Sequence, residues 1–341
     1  MTSKLLLDFY AMNSVLAAEI ALSRKCALGI LDFRYAPYSL GDIFTWLTNI
    51  QVQAHGMPID LVLVSLPEKS TRRHQAHITS YNRVQVIEGL LPAYLTCPSV
   101  VSFRIFENKN KFSQRVLGAL LARATSWPTL TSHLKGLLDP SSHTQINAFY
   151  AKNKWLPRLQ APPGFRDGTQ RFRAAYLNER VPIVINIRQR ALTHNPHALF
   201  RDSSADAWYE FLMKAERRWP KATFVLVGGF SEWERRFARL ANVIIPRMLG
   251  LGLGHELTLL FEGAPFFGTS SGFSAAATFS KTPYTITNIE HQTDINWGIP
   301  VGTEQHPFAL AHQWLNWQYE TEPLLSDLFE RLWITARQSA P

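Results

Sequence analysis

Only two cysteines, Cys26 and Cys97, occur in the 341 residues. That is too few for a disulfide framework, and both are expected to stay reduced in a cytosolic setting. Long apolar runs are also missing, since no stretch reaches the roughly 18 residues that a membrane-crossing helix requires. The N-terminal stretch MTSKLLLDFYAMNSVLAAEIALSRK does not read as a signal peptide, because Asp8 and Glu19 interrupt it and no cleavage site follows. There is no GxxxxGK[ST] loop, no GxGxxG fingerprint and no GxSxG elbow. These absences tell against ordinary kinases and ATPases, nicotinamide-dependent dehydrogenases and serine hydrolases. Internal repeats and low-complexity tracts are absent as well.

What is present is globular: 46% apolar residues and 18% charged ones. The length suits two domains of roughly 150 residues each. The net charge of +9 is confined to Arg104–Arg180, where thirteen Lys and Arg face four Asp and Glu. Such a block attracts nucleotide phosphates, an anionic membrane surface or nucleic acid, or is a plain solvated face. The aromatics within it, Phe112, Trp127, Phe149 and Trp155, are spread too widely for a stacking platform, so no nucleic-acid partner is expected.

The apolar pattern alternates buried strands with helices. Residues 4–24 form a helix that packs on a core or lies on a membrane. Strand Ala27–Phe33, helix 43–56, strand Asp60–Leu66, helix Ile78–Tyr94 and strand Ser99–Phe106 follow. This order implies a parallel sheet with right-handed crossovers. Helical pieces Gln114–Ala124 and Thr144–Lys154 lead to the Pro- and Gly-bearing stretch LQAPPGFRDGTQRFR, read as a domain boundary near 157–175. The second series has strand PIVINIR, helix Ser204–Trp219, strand Thr223–Gly228, helix Ser231–Leu240, short strand Val243–Ile245 and helix His255–Gly263. Strand Pro265–Gly268, turn Thr269–Gly272, helix Phe273–Ser280 and strand Tyr284–Thr287 come next, then helices Phe308–Tyr319 and Leu324–Arg337. The expectation is an α/β protein with two tandem Rossmann-like doubly wound domains facing a cleft: 1–165, 175–307, and C-terminal helices 308–341 that brace the first domain.

Several groups stand where ligands bind in such sheets, beyond the strand C-termini. The turn Thr269-Ser270-Ser271-Gly272 opens a helix and reads as an anion site, because helix-terminal N–H groups point at it. Arg188 ends a strand, and its fork suits a diphosphate. Arg201 lies in the following loop with His194 and His197, which lack a carboxylate at ligand-like spacing, so no metal is expected. Gly228-Gly229 allows close backbone approach. Asp42, in Ser39-Leu40-Gly41-Asp42, either caps a helix or serves as a general base. Glu107 is a second cleft carboxylate.

Two of these motifs together resemble the lipopolysaccharide heptosyltransferases, glycosyltransferases of GT-B architecture. That family carries a Ser-x-Gly-Asp turn after its first strand, matched by Ser39–Asp42. Near its C-terminus it carries an Asp-Thr-Gly turn, then a helix with a His and paired alanines, then a proline. Here Ser270-Ser271-Gly272 falls on the turn and Pro283 follows Gly272 at the expected spacing, while Ser270 stands where the family has Asp and Ala275 where it has His. The run Arg188…Arg201-Asp202-Ser203-Ser204…Trp208 is similar to a pattern in other bacterial sugar transferases.

The resemblance implies an inverting, metal-independent glycosyltransferase without a cofactor, using a nucleotide-diphosphate sugar. Asp42 would be its base, with Gly41 and Glu107 on the acceptor side. Arg188, Arg201, Gly228, Gly229 and Thr269–Gly272 would hold the donor. The acceptor would be a glycan or lipid-linked glycan, met in the cytoplasm or at the inner membrane face. A non-hydrolysing sugar-nucleotide epimerase and a non-catalytic nucleic-acid binder are the rival readings.

Overall fold

A computed structural model describes residues 3–66, 78–79, 81–134, 142–177, 179–189, 202–289 and 297–338, with the side chains of 3–13 and 336–338 left aside. By their contacts the residues form two units. The first gathers Met1–Tyr38, Trp46–Glu88 and Cys97–Pro140; the second gathers Ser39–Thr45, Gly89–Thr96 and Ser141–Pro341. The division near residue 140 precedes the expected 157–175, because that Pro- and Gly-bearing stretch folds as part of the second unit. Its helix Arg166–Phe172 carries Thr169 and Phe172 buried.

In the first unit, strands β1 (Ala27–Asp32), β2 (Ile59–Val64), β3 (Val100–Phe106) and β4 (Ser126–Trp127) form a parallel sheet in the order β3-β2-β1-β4. Every residue of β1 and β2 is buried, as their continuous apolar runs predict for a sheet covered on both faces. Helix α1 (Ser3–Lys25) packs on a core helix, α4 (Lys109–Leu121); between them in sequence come α2 (Leu40–Ala54) and α3 (Arg83–Tyr94). A Cβ on Gly118 would stand 2.6 Å from the Glu19 Cβ, so only glycine lets these two helices touch. Among the described residues no helix is long and apolar enough to cross a membrane.

The basic block does not present itself as one anion-binding face. Arg115 is fully buried and forks onto buried Asp60 at 2.9 Å, while Arg104 bridges Asp60 at 2.6 Å and Glu19 at 2.7 Å. Arg158 and Arg166 belong to the second unit, where Arg158 donates to the carbonyls of Thr278, Ser280 and Phe308, and Arg166 pairs with Glu262 at 2.6 Å. Arg104, Arg115 and Arg158 are therefore structural, because buried charges demand partners and these have them, while Lys109, Lys111, Arg123, Lys152, Lys154, Arg166, Arg171 and Arg180 stay exposed.

The second unit holds a six-stranded parallel sheet: β5 (Val181–Asn186), β6 (Ala222–Leu226), β7 (Val243–Ile244), β8 (Phe266–Thr269), β9 (Tyr284–Thr287) and β10 (Gln313–Leu315), in the order β10-β9-β8-β5-β6-β7. Counted from β5, this is the doubly wound Rossmann order, and the winding reverses between β5 and β8. Helices α5 (Leu130–Leu134), α6 (Thr144–Asn153) and α7 (Arg166–Phe172) precede it in the chain. Helices α8 (Ala205–Arg218), α9 (Leu253–Phe261), α10 (Gly272–Thr278) and α11 (Glu322–Gln338) accompany its strands.

Two expectations are corrected. Phe308–Tyr319 is no helix: its centre is strand β10, where Gln313 pairs with Tyr284 and its buried amide donates to the carbonyls of Ser280 and Thr282. Ladder bonds plus a satisfied buried amide outweigh helical spacing. Ser231–Leu240 yields only a short 3-10 turn, Arg235–Arg239, with Trp233 and Phe237 as the segment's buried apolar side chains, too short a stripe to offset helix nucleation. The last helix, α11, packs in the second unit's core. Leu325, Phe329, Leu332 and Trp333, spaced as one helical stripe, are buried in the second unit's core with Trp208, Phe211, Phe224 and Phe267.

Candidate functional site

The reversal point of the second sheet brings several of the expected residues together. At the end of β5, Arg188 is nearly buried; its backbone N–H donates to Ser203 Oγ at 3.0 Å and its guanidinium reaches the Ser270 carbonyl at 3.4 Å. Arg188 and the turn after β8 thus share one place. In that turn Ser271 caps α10 through a reciprocal box. The Ser274 N–H donates to Ser271 Oγ at 3.3 Å, and the Ser271 N–H to Ser274 Oγ at 2.7 Å. Two amides that the sequence offered to an anion are therefore satisfied by the helix's own side chains.

The Ser-x-Gly-Asp turn meets this turn within the second unit, to which Ser39–Thr45 belongs. A Cβ on Gly41 would lie 3.7 Å from the Gly272 Cα and 3.8 Å from the Ala275 Cβ. A Cβ on Gly272 would lie 2.7 Å from the Leu40 Cβ. Glycine is required at 272, where a Cβ would run into the Leu40 side chain, whereas a Cβ at 41 would make ordinary contacts. Asp42, the next residue, sits half-buried in the first turn of α2. Two motifs more than two hundred residues apart in sequence are neighbours in space.

Gly228 and Gly229 follow β6 in a different electrostatic setting. Gly228 has φ +118°, where a side chain is strained and would meet Glu232 Oε2 at 2.7 Å. Its N–H donates to Glu256 Oε1 at 3.3 Å, and the Gly229 N–H donates to Glu232 Oε2 at 3.1 Å. Glu256 is fully buried and forked by Arg247 at 2.9 Å; burial pushes its carboxyl up, opposed by the Arg247 bond. Carboxylates at this loop suit sugar or ribose hydroxyls and repel phosphate.

One residue gave no signal in the sequence. Glu320, fully buried, accepts from Thr269 Oγ1 at 2.9 Å and Thr287 Oγ1 at 2.5 Å on one oxygen, and from the Ser204 N–H at 2.9 Å on the other. Ser203 Oγ also bonds Thr269 Oγ1. Burial raises the Glu320 pKa, against the lowering effect of these donors. A lone Glu in an aromatic stretch carries no spacing by which to recognise such a hub.

In the first unit, the winding reverses between β1 and β4. There Asp32, fully buried, is forked by Arg34 at 2.6 Å, with His133 Nε2 3.6 Å away and its Nδ1 buried without a partner among the described residues. Burial lowers the His133 pKa despite Asp32. This cluster too was missed, because Asp32 reads as the end of an apolar strand. Glu107 is exposed beyond β3, next to Asn108, which caps α4. Arg201, His194 and His197 lie outside the described residues.

No protein-family model matches the chain, and no curated protein matches it. Solved structures do. The E. coli ADP-heptose lps heptosyltransferase II aligns over 91% of this chain and 99% of its own, with TM-score 0.51 at 12% identity. The glycosyl transferase family 9 protein from Veillonella parvula DSM 2008 aligns over 92% and 98%, with TM-score 0.46 at 11% identity. The E. coli heptosyltransferase WaaC with ADP aligns over 89% and 99%, with TM-score 0.43 at 13% identity. At such identities likeness speaks for fold, and the first of the three carries it: the chain has the paired Rossmann-like sheets of the GT-B architecture, as in heptosyltransferase II.

Proposed function

We propose that the protein is a glycosyltransferase that moves a sugar from a nucleotide-diphosphate donor to a hydroxyl of a cell-surface glycan precursor, with inversion and without a metal or other cofactor. The observation that carries this reading is the meeting of Arg188, the Thr269–Gly272 turn and the Asp42 turn at one end of the second sheet. Ligands of doubly wound sheets bind where the winding reverses. There the Arg188 guanidinium neutralises charge on the departing diphosphate. The Asp42 carboxylate removes the proton of the acceptor hydroxyl, whose oxygen attacks the anomeric carbon opposite the breaking bond.

Gly228 and Gly229 let the donor approach, with Glu232 accepting from its hydroxyls, whereas Thr269–Gly272 carries the diphosphate end. Gly41 serves the acceptor side of this site. The acceptor is a glycan or a lipid-linked glycan, met in the cytoplasm or peripherally at an anionic inner-membrane face. The neighbour in fold, the E. coli ADP-heptose lps heptosyltransferase II, supports a nucleotide-sugar and a lipopolysaccharide-type acceptor as the first substrates to try.

The test is a thermal-shift screen against nucleotides and nucleotide-sugars, because specific binding raises apparent stability. At least one is expected to raise the melting temperature; a flat panel refutes the donor site. Asp42→Asn should then abolish transfer and keep that shift. Retained transfer removes Asp42 from the mechanism.

A further inference from the structure

Glu320 joins four parts of the second unit through a single buried carboxylate. Thr269 is the last residue of β8 and the first of the turn, Thr287 ends β9, Ser204 caps α8, and Ser203 holds the backbone of Arg188 after β5. The direction of the bonds follows from the chemistry. An ionised carboxylate only accepts, so the single hydroxyl proton of Thr269 points at Glu320. Thr269 Oγ1 must then accept from Ser203, whose own oxygen accepts from the Arg188 N–H. One charge thereby orders a chain running Arg188, Ser203, Thr269, Glu320. The other oxygen holds the first turn of α8 through Ser204, whose side chain in turn accepts from the Ala207 N–H. Loss of the acceptor leaves buried donors unpaired, and the hydroxyl chain loses its fixed polarity.

We infer that Glu320 is a positioning residue that holds Arg188 and the Thr269–Gly272 turn in the geometry that receives the donor diphosphate; this rests on the donor reading above. Glu320 does not touch the donor and acts through Thr269 and Ser203. A neutral Gln of the same shape presents an NH2 group to one set of its donors, so the clamp opens on one side while the core stays filled.

The experiment compares the full chain with Glu320→Gln and Ser203→Ala by amide hydrogen exchange and by calorimetric titration with ADP and with UDP. Faster exchange confined to peptides spanning 269–274 and 203–208, with about tenfold weaker nucleotide binding in Glu320→Gln, is the expected result. A folded Glu320→Gln with wild-type exchange and affinity overturns the role. Should that variant fail to fold, Ser203→Ala decides, because it breaks the link to Arg188 and leaves the carboxylate in place. It should weaken ADP about threefold, and unchanged affinity overturns the role. A wild-type protein that binds neither of these nucleotides nor any other nucleotide or nucleotide-sugar of the panel refutes the donor reading and this role with it. Equal binding by wild type and Glu320→Gln refutes the role of Glu320 alone.

Discussion

Acid should destabilise the second unit through its buried histidines, His306 and His143, whose pKa values burial lowers. His306 is nearly buried, stacked on Phe308 at 5.0 Å and flanked by Trp297 at 4.9 Å and His143 at 5.5 Å; neither ring nitrogen has a hydrogen-bond partner among the described residues. Burial, reinforced by the Arg158 charge, holds its pKa down to about 3. In the unfolded chain the ordinary value near 6.5 applies. The folded value is the lower one, so between these limits the unfolded state binds more protons, and stability falls as pH drops from about 6.5 toward 3. At pH 5 the unfolded ring is about 1.5 units below its pKa, which removes about 2 kcal/mol relative to pH 7.5. For a unit of this size that is about 4–8 °C in melting temperature. Buried Glu256 and Glu320 act in the opposite sense, because their raised values favour the protonated folded form as pH falls. The comparison that isolates one histidine is therefore His306→Phe, which keeps an aromatic ring in an aromatic shell. Urea unfolding at pH 7.5 and 5.0 should show the variant losing about 2 kcal/mol less than wild type across the interval. Equal losses in the two proteins would refute the account of a neutral, buried His306.

Gly272→Ala should cost about 1–3 kcal/mol and weaken nucleotide binding, because its Cβ would stand 2.7 Å from the Leu40 Cβ; urea unfolding and calorimetry read the two effects. Arg247→Met strands the fully buried Glu256, and with the arginine partly exposed the loss should be about 2–4 kcal/mol, smaller at acid pH where Glu256 takes up a proton. Glu256→Gln in the same background should recover part of it. Phe329→Ala removes a fully buried ring that meets Phe211, Trp219, Phe224 and Phe267 at 4.8–5.6 Å. About 3–5 kcal/mol should be lost, visible as a collapse of near-ultraviolet dichroism at temperatures the wild type tolerates.

The sheets were legible because parallel strands buried on both faces leave continuous apolar runs. ALGILD, IDLVLV and ATFVL each form the strand their composition implies. The glycine turns at Gly41 and Gly272 were legible too, as residues, but not as a contact: nothing local says that Leu40 fills the space a Gly272 side chain would take. Strand β10 was hidden because three residues beside a β9 edge need no periodicity of their own. The side of the molecule that α11 covers was equally hidden, since an amphipathic stripe names its own buried face and not the surface that receives it. Arg104 and Arg115 counted as surface charge in composition, yet their partners Glu19 and Asp60 are forty to a hundred residues away. Glu320 and Asp32 were illegible for the same reason, since a hub is defined by what converges on it.

Helix α11 also sets a schedule. A ribosome delivers β5 first and Trp333 roughly 150 residues later, which at ordinary rates takes on the order of ten seconds. Through that interval Phe211, Phe224 and Phe267 lack the wall that Phe329 supplies. The second unit cannot complete its core strand by strand as it emerges. It carries a bare aromatic face until its last described helix arrives, which makes that nascent stage the point at which chaperone binding or aggregation competes with folding.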